Sequence, residues 1–365
     1  MSLAFLRVYR VLRGSRLARG EGTVSQEKFR VGITCDVLGP SGEPVFGRDA
    51  LKKLDDPNVE WEYLPEAVPV LTPEHASRYD AICLFGSRAS RETVSGPNRR
   101  LKLIARFGVG YDNVEVPALS EQGILLTIAP DGVRRPVASS VMAFMLYMAH
   151  RLDIKDRLVR DGRWKEKGDF LGYGLTGKKL GVIGVGNIGK EVFRLAKPWD
   201  MVHLGCDPNV SQAEMDPVGA KKVDLDTLLR EADVISVNCL LNEQTHHLIG
   251  AREFGLMKRS AFFINTARGP VVDEAALTDA MANKKIAAAA IDVFEQEPTP
   301  VDNPLLKLDN VIVAPHAVCH TDECMRLLGE SAFTAAVDLA HGRQPKHIVN
   351  PEALRHPAWS VKGHR

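Results

Sequence analysis

Arg268, Glu297 and His316 are the residues whose types could do chemistry together. Each stands at or just beyond the end of an apolar run: Arg268-Gly269 after 261–267, Phe294-Glu295-Gln296-Glu297-Pro298 closing 287–294, and Pro315-His316 closing 310–315. A guanidinium grips a carboxylate in a two-pronged fashion and polarises a neighbouring carbonyl. A histidine gives or takes a proton near neutral pH. A carboxylate beside that histidine favours its protonated form. The trio suits hydride transfer to a keto carbon next to a carboxylate. Taken singly, Arg268 also reads as a surface arginine, Glu297 as an exposed loop acid and His316 as a core histidine.

A second constellation is Gly184-Val185-Gly186-Asn187-Ile188-Gly189. Leu180, Val182, Ile183 and Val185 form an apolar run before it, and Ile188, Val192 and Leu195 come after it at helical spacing. The first glycine permits the tight turn, the second lets backbone approach a pyrophosphate, and the third lets helix and strand pack closely. The N-terminus of the next helix would hold the phosphates. The next apolar run ends at Asp207, near the spacing of a ribose-binding acid. A carboxylate there repels a 2′-phosphate, and Pro208 and Asn209 come next with no adjacent arginine. The expected cofactor is therefore NAD rather than NADP.

These residues need a scaffold that brings distant strand ends to one edge. Residues 29–37, 81–85, 101–107 and 124–128 read as strands of a first series. The second comprises 180–185, 202–207, 234–240, 261–267, 287–294 and 310–315, with helical stretches such as 188–197 and 273–283 between them. Six strands in that rhythm make a doubly wound sheet, whose ligands bind beyond the carboxyl ends of the strands. Residues 137–152 read as a long buried helix, 153–178 as a looser charged segment, and 323–341 as a final helix that could return to the first domain.

Composition fits this. The chain is long enough for two cores. Lys plus Arg total 47 against 46 for Asp plus Glu, which gives no electrostatic case for nucleic acid as the partner. No apolar run is long enough to span a bilayer. Six scattered cysteines suit reduced thiols in a cytoplasmic protein better than a disulfide framework. His246-His247 reads as a surface pair, and Cys319, His320 and Cys324 fall short of a four-ligand zinc site, so no metal is expected. Residues 1–28 carry Arg7, Arg10, Arg13, Arg16 and Arg19 with no acid before Glu21: a disordered basic extension, with an organelle transit peptide as the alternative. Arg88 and Arg91 read as solvated turn arginines, with contact to a substrate phosphate as the alternative.

The stretches LKLIARFGVGYDNV, LTGKKLGVIGVGNIG, FINTARGPVVDEAAL, AAIDVFEQEP and NVIVAPH, within about residues 101–351, resemble the D-isomer-specific 2-hydroxyacid dehydrogenases. That family includes glyoxylate and hydroxypyruvate reductases and phosphoglycerate dehydrogenases. The resemblance implies a Rossmann domain, residues 129–316, inserted into a flavodoxin-like substrate domain, 29–128 with 317–350, followed by a tail, 351–365. It implies Arg268 as the group that binds the substrate carboxylate and His316 as the acid/base, oriented by Glu297. Asp292 would hold the nicotinamide carboxamide, with Thr266, Ala267, Arg268 and His316 also at the cofactor and Ile188 at the pyrophosphate. Gly108, Val109 and Gly110 would meet the substrate carboxylate, and the 137–152 helix would build a homodimer. The expected activity is NAD-dependent interconversion of a small 2-keto and 2-hydroxy acid such as glyoxylate or hydroxypyruvate. Alternatives are a short phosphoglycerate dehydrogenase, since the chain ends at Arg365, and an NAD-sensing protein like the corepressors built on this fold. Ser139 replaces a usual acid, and Leu240-Leu241-Asn242 and Val318-Cys319-His320 also depart from the family pattern, so the substrate does not transfer.

Overall fold

A computed structural model describes residues 27–360. Most of the arginine-rich 1–28 segment, and the last five residues of the tail, lie outside the described residues. The chain divides into two units: residues through Val133 together with those from Asp322 on, and Arg134–Thr321.

The first unit holds a five-stranded parallel sheet. Its strands are β1 (Phe29–Ile33), β2 (Val59–Tyr63), β3 (Ala81–Leu84), β4 (Leu103–Arg106) and β5 (Leu125–Thr127), in the order β2-β1-β3-β4-β5. This is the flavodoxin-like order. β3 is buried along its whole length, which is why AICL reads as continuously apolar. β2 was not expected, although Val59, Trp61 and Tyr63 alternate with Glu60 and Glu62 as an edge strand should. The first strand is shorter than 29–37: it stops at Ile33, and Cys35–Val37 coils into a 3-10 turn. Residues 351–360 fold back rather than trailing as a tail. Asn350 accepts the Leu126 N–H at 2.8 Å and donates to the Ile124 carbonyl at 2.9 Å, and the Trp359 indole donates to the Gly123 carbonyl at 2.8 Å.

The second unit holds a seven-stranded parallel sheet: β6 (Lys179–Ile183), β7 (Val202–Cys206), β8 (Ala220–Lys222), β9 (Val234–Val237), β10 (Phe262–Asn265), β11 (Ala288–Ile291) and β12 (Val311–Val313). The order is β12-β11-β10-β9-β6-β7-β8. Starting from β8, that is the Rossmann order with one strand added. Only six of these strands are legible in the sequence; β8 is three residues, AKK, too short and polar to show periodicity. An apolar layer packs on each face of the sheet, one around Met145, Val182 and Phe193, the other around Leu228, Ile235 and Phe263.

The long helix begins at Pro130, not 137, and ends at His150. Its first turns, PDGVRRP, carry two prolines and a glycine, which hide them from a periodicity reading. The segment beyond is not loose throughout. Leu152–Arg160 is a helix with Asp153–Arg157 and Asp156–Arg160 pairs at i,i+4 spacing, and Trp164–Asp169 is a 3-10 helix. Among the described residues no helix is long and apolar enough to cross a membrane.

Candidate active site

The carboxyl ends of β6, β7, β9, β10, β11 and β12 lie along one edge of the seven-stranded sheet, because all its strands are parallel. The glycine turn leaves β6 at the point where strand order reverses. Gly184 has φ +88°, and a side chain there would collide with Cys239 backbone 2.5 Å away. The end of β9 thus packs directly on the turn. Gly189 approaches even closer: a Cβ would sit 2.2 Å from the Gly184 carbonyl oxygen. Gly186 faces open space and caps the helix Asn187–Ala196 with no side-chain bond. Its helix N-terminus keeps backbone donors for an anion.

Asp207 comes after β7. One carboxylate oxygen accepts the Val185 N–H at 2.9 Å and the other the Asn209 N–H at 2.9 Å. The acid therefore ties the glycine turn to its own strand. Two further atoms on this edge fit a polar ligand. Asn238 Oδ1 and Thr266 Oγ1 are buried without a hydrogen-bond partner. Such groups cost free energy unless a ligand or water meets them. A dinucleotide with hydroxyls, phosphates and a carboxamide suits these atoms and the open glycine.

At the other side of the sheet the expected trio draws together. Arg268 leaves β10 in extended conformation on a turn held by Asn265, whose side chain accepts the Ala267 N–H at 3.0 Å and donates to the Arg268 carbonyl at 3.0 Å. Gly269 then lies against the Phe294 peptide, so closely that a Cβ would come within 1.8 Å of its carbonyl oxygen. Glu297 Oε1 accepts the Phe294 N–H at 3.0 Å, and Glu297 Oε2 lies 2.7 Å from His316 Nδ1. Burial works to raise the Glu297 pKa. Hydrogen bonds from His316 and Phe294, and the charges of His316 and Arg268, outweigh it and hold the group below the usual range. The pair is about two-fifths exposed, open to a substrate.

His316 has φ +53°, an uncommon backbone for a residue with a side chain. Asp292, at the end of β11, imposes it. Its carbonyl accepts the His316 N–H at 2.7 Å, and its Oδ1 accepts the N–H groups of Ala317 and Val318 at 2.9 and 3.1 Å. Burial raises the Asp292 pKa against those two donors. Asp292, expected only as a cofactor contact, thus also shapes the loop that aims His316. Asn265 and Asn238 were missed by sequence reasoning; an asparagine at the end of a buried strand was the available signal.

Gly108, Val109 and Gly110 come after β4 in the first unit. Gly108 has φ +133° and packs on the Arg106 guanidinium. Arg91 is bound to Glu121 and Glu115. The Arg88 side chain is exposed. The described residues include no group of three or more metal-ligating side chains. His246 and His247 stack with ring centroids 4.1 Å apart, and His247 is engaged with Glu295.

The model of the D-isomer specific 2-hydroxyacid dehydrogenase NAD binding domain matches residues 142–318. The D-3-phosphoglycerate dehydrogenase of Archaeoglobus fulgidus is 40% identical over 273 residues, 75% of this chain and 52% of that relative, so the chain spans about half its length. The glyoxylate reductase of Korarchaeum cryptofilum is 38% identical over 259 residues, 70% of this chain and 78% of the relative. The crystal structure of D-lactate dehydrogenase from Aquifex aeolicus, complexed with NAD and lactic acid, matches with a TM-score of 0.76 and 29% identity over 88% of this chain and 99% of that one. With these relatives, its glycine turn and its parallel sheet, the chain belongs to the NAD-binding D-isomer-specific 2-hydroxyacid dehydrogenase family.

Proposed function

We propose that the protein reduces a small 2-keto acid such as glyoxylate or hydroxypyruvate to the D-2-hydroxy acid. The observation that carries this reading is the 2.7 Å contact between His316 Nδ1 and Glu297 Oε2, on the same sheet edge as Arg268. Arg268 binds the substrate carboxylate. His316 delivers a proton from Nε2 to the forming hydroxyl. Glu297 holds Nδ1, fixing the ring's orientation. The cofactor, bound as NADH, would supply the hydride and become NAD; the Gly184–Gly189 turn, Asp207, Thr266, Ala267 and Asp292 would hold it. The protein works as a cytoplasmic homodimer built along the Pro130–His150 helix.

The test is purified protein with NADH and a panel of 2-keto acids. Turnover on glyoxylate or hydroxypyruvate is expected. NADH binding with no turnover on any of them refutes the reading and favours an NAD-sensing protein. Oxidation of a phosphorylated hydroxy acid is the second reading, favoured by the similarity to phosphoglycerate dehydrogenases and by the exposed Arg88 after β3. A kcat/KM higher for phosphohydroxypyruvate than for hydroxypyruvate selects it.

A further inference from the structure

Glu297 works from the long connection between β11 and β12, residues 292–310, which must be held still while its carboxylate grips His316. The loop carries a second acid, Glu295, pinned from the opposite direction. Glu295 N–H donates to Glu274 Oε2 at 2.9 Å, and Glu274 N–H donates to Glu295 Oε1 at 3.2 Å. The two acids thus bind each other's backbone, and Glu295 sits at the N-terminus of the helix Glu274–Ala282, where negative charge is favoured. Glu274 Oε1 also accepts the Asn303 amide at 2.7 Å, which fastens the far end of the loop. Two adjacent carboxylates need a donor facing them. His247 supplies it: its Nε2 lies 2.6 Å from Glu295 Oε1.

His247 does not come from the catalytic strand ends. It sits on the loop after β9, in a turn built by Asn242 and Thr245: the Asn242 N–H donates to Thr245 Oγ1 at 2.8 Å, and the Thr245 N–H to Asn242 Oδ1 at 3.1 Å. The His247 backbone has φ +51°. Its N–H donates to the Pro270 carbonyl at 2.8 Å, one residue beyond Gly269. The His246 ring stacks on it. So one residue grips, through its backbone, the segment that carries Arg268 and, through its ring, the segment that carries Glu297.

We propose that His247 is a positioning residue for the reaction: with Glu295 it forms a clasp that keeps Glu297 in register with Arg268 and His316. The inference rests on the reductase reading above. His247 touches neither substrate nor cofactor in this role. Its loss should act on the chemical step and spare cofactor binding, because the glycine turn and Asp207 sit on the opposite side of the sheet edge.

The experiment compares wild type with His247→Ala, His247→Gln, Glu295→Ala, the double variant His247→Ala/Glu295→Ala, and His316→Ala, all as full chains with NADH and glyoxylate. His247→Ala should lower kcat roughly tenfold to a hundredfold, the scale of a misplaced catalytic group. The NADH dissociation constant, read by fluorescence quenching, should stay unchanged. His247→Gln should recover most of the kcat, since its amide can donate to Glu295 from nearly the same place. His247→Ala should cost nothing further in the Glu295→Ala background, as expected of coupled residues. Wild-type kcat in His247→Ala overturns the clasp, and so does a glutamine variant as impaired as the alanine one, or an additive double variant. If His247→Ala does not fold, the glutamine and Glu295→Ala variants carry the test. His316→Ala separates the two claims. A His316→Ala variant that is inactive beside an unimpaired His247→Ala refutes only the clasp; one that turns over normally refutes the reductase reading and the clasp with it.

Discussion

Replacing Gly269 by alanine isolates the contact that joins two segments of the site. The added Cβ would meet the Phe294 carbonyl oxygen at 1.8 Å, its carbon at 1.9 Å and the Glu295 nitrogen at 2.5 Å. These are backbone atoms, which cannot swing aside as a flexible side chain would. Non-bonded heavy atoms settle at about 3.5 Å, so the two segments must part by about 1.7 Å. Arg268 is the residue before Gly269, and the Phe294 N–H holds Glu297. A displacement of about 1 Å in a catalytic group can cost about a hundredfold in rate, which is about 2.7 kcal/mol of barrier. Overpacking should also lower stability by about 1–3 kcal/mol. The assay is kcat with NADH and glyoxylate, beside the NADH dissociation constant and a thermal melt. The expected result is a folded, less stable protein that binds NADH almost normally and turns over at least about a hundredfold slower. A folded variant with kcat within about threefold of wild type would refute the reasoning, since the site would then tolerate the separation.

Three further outcomes are expected from the same structure. Asp207→Ala removes the acceptor for the Val185 N–H and, on the proposed reading, the acid at the ribose, and should weaken NADH by roughly tenfold to a hundredfold while NADPH weakens less, the scale of losing a hydrogen bond to a charged group; parallel titrations with both cofactors decide it. Asp80 is buried against Arg100, Lys102 and the Arg30 N–H; burial works to raise its pKa, but those partners hold it below the usual carboxylate value. Its stabilisation is therefore complete above the unfolded pKa of about 3.9 and is lost as pH falls through the lower folded value. Asp80→Asn should cost about 3 kcal/mol at neutral pH, as when a buried pair loses one partner, read by urea denaturation; an unchanged midpoint contradicts it. His203 is buried, stacked on Phe193 with Nε2 unpartnered, and burial lowers its pKa. The unfolded chain takes the proton first, so stability should fall as pH drops below about 6.5. His203→Phe should flatten that part of the melting-temperature profile.

Much of the site was legible because its signals are local. The glycine turn shows in six consecutive residues flanked by a strand run and a helical run. Arg268, Glu297 and His316 show because buried parallel strands read as apolar runs, and the residues just beyond each run must lie at the ligand edge. The misses have equally physical causes. β8 is too short to carry a period, and the first turns of the long helix are masked by Pro130, Gly132 and Pro136. The helix Leu152–Arg160 is charged on so much of its surface that it read as loop, although its i,i+4 acid–arginine pairs were visible. His247 read as half of a surface pair because its partner, Glu295, is 48 residues away.

The sequence by itself determined that the chain has a dinucleotide turn, an acid after the next strand, and three strand ends bearing an arginine, a glutamate and a histidine. These come from short-range order: steric demands on glycine, the period of buried strands, and the chemistry of single side chains. Only the tertiary structure decided which groups meet. It set Gly269 against Phe294, turned Asp292 toward the loop that aims His316, and placed His247 against Glu295. Such contacts depend on strand order and crossover geometry, which bring together residues that local periodicity leaves unrelated.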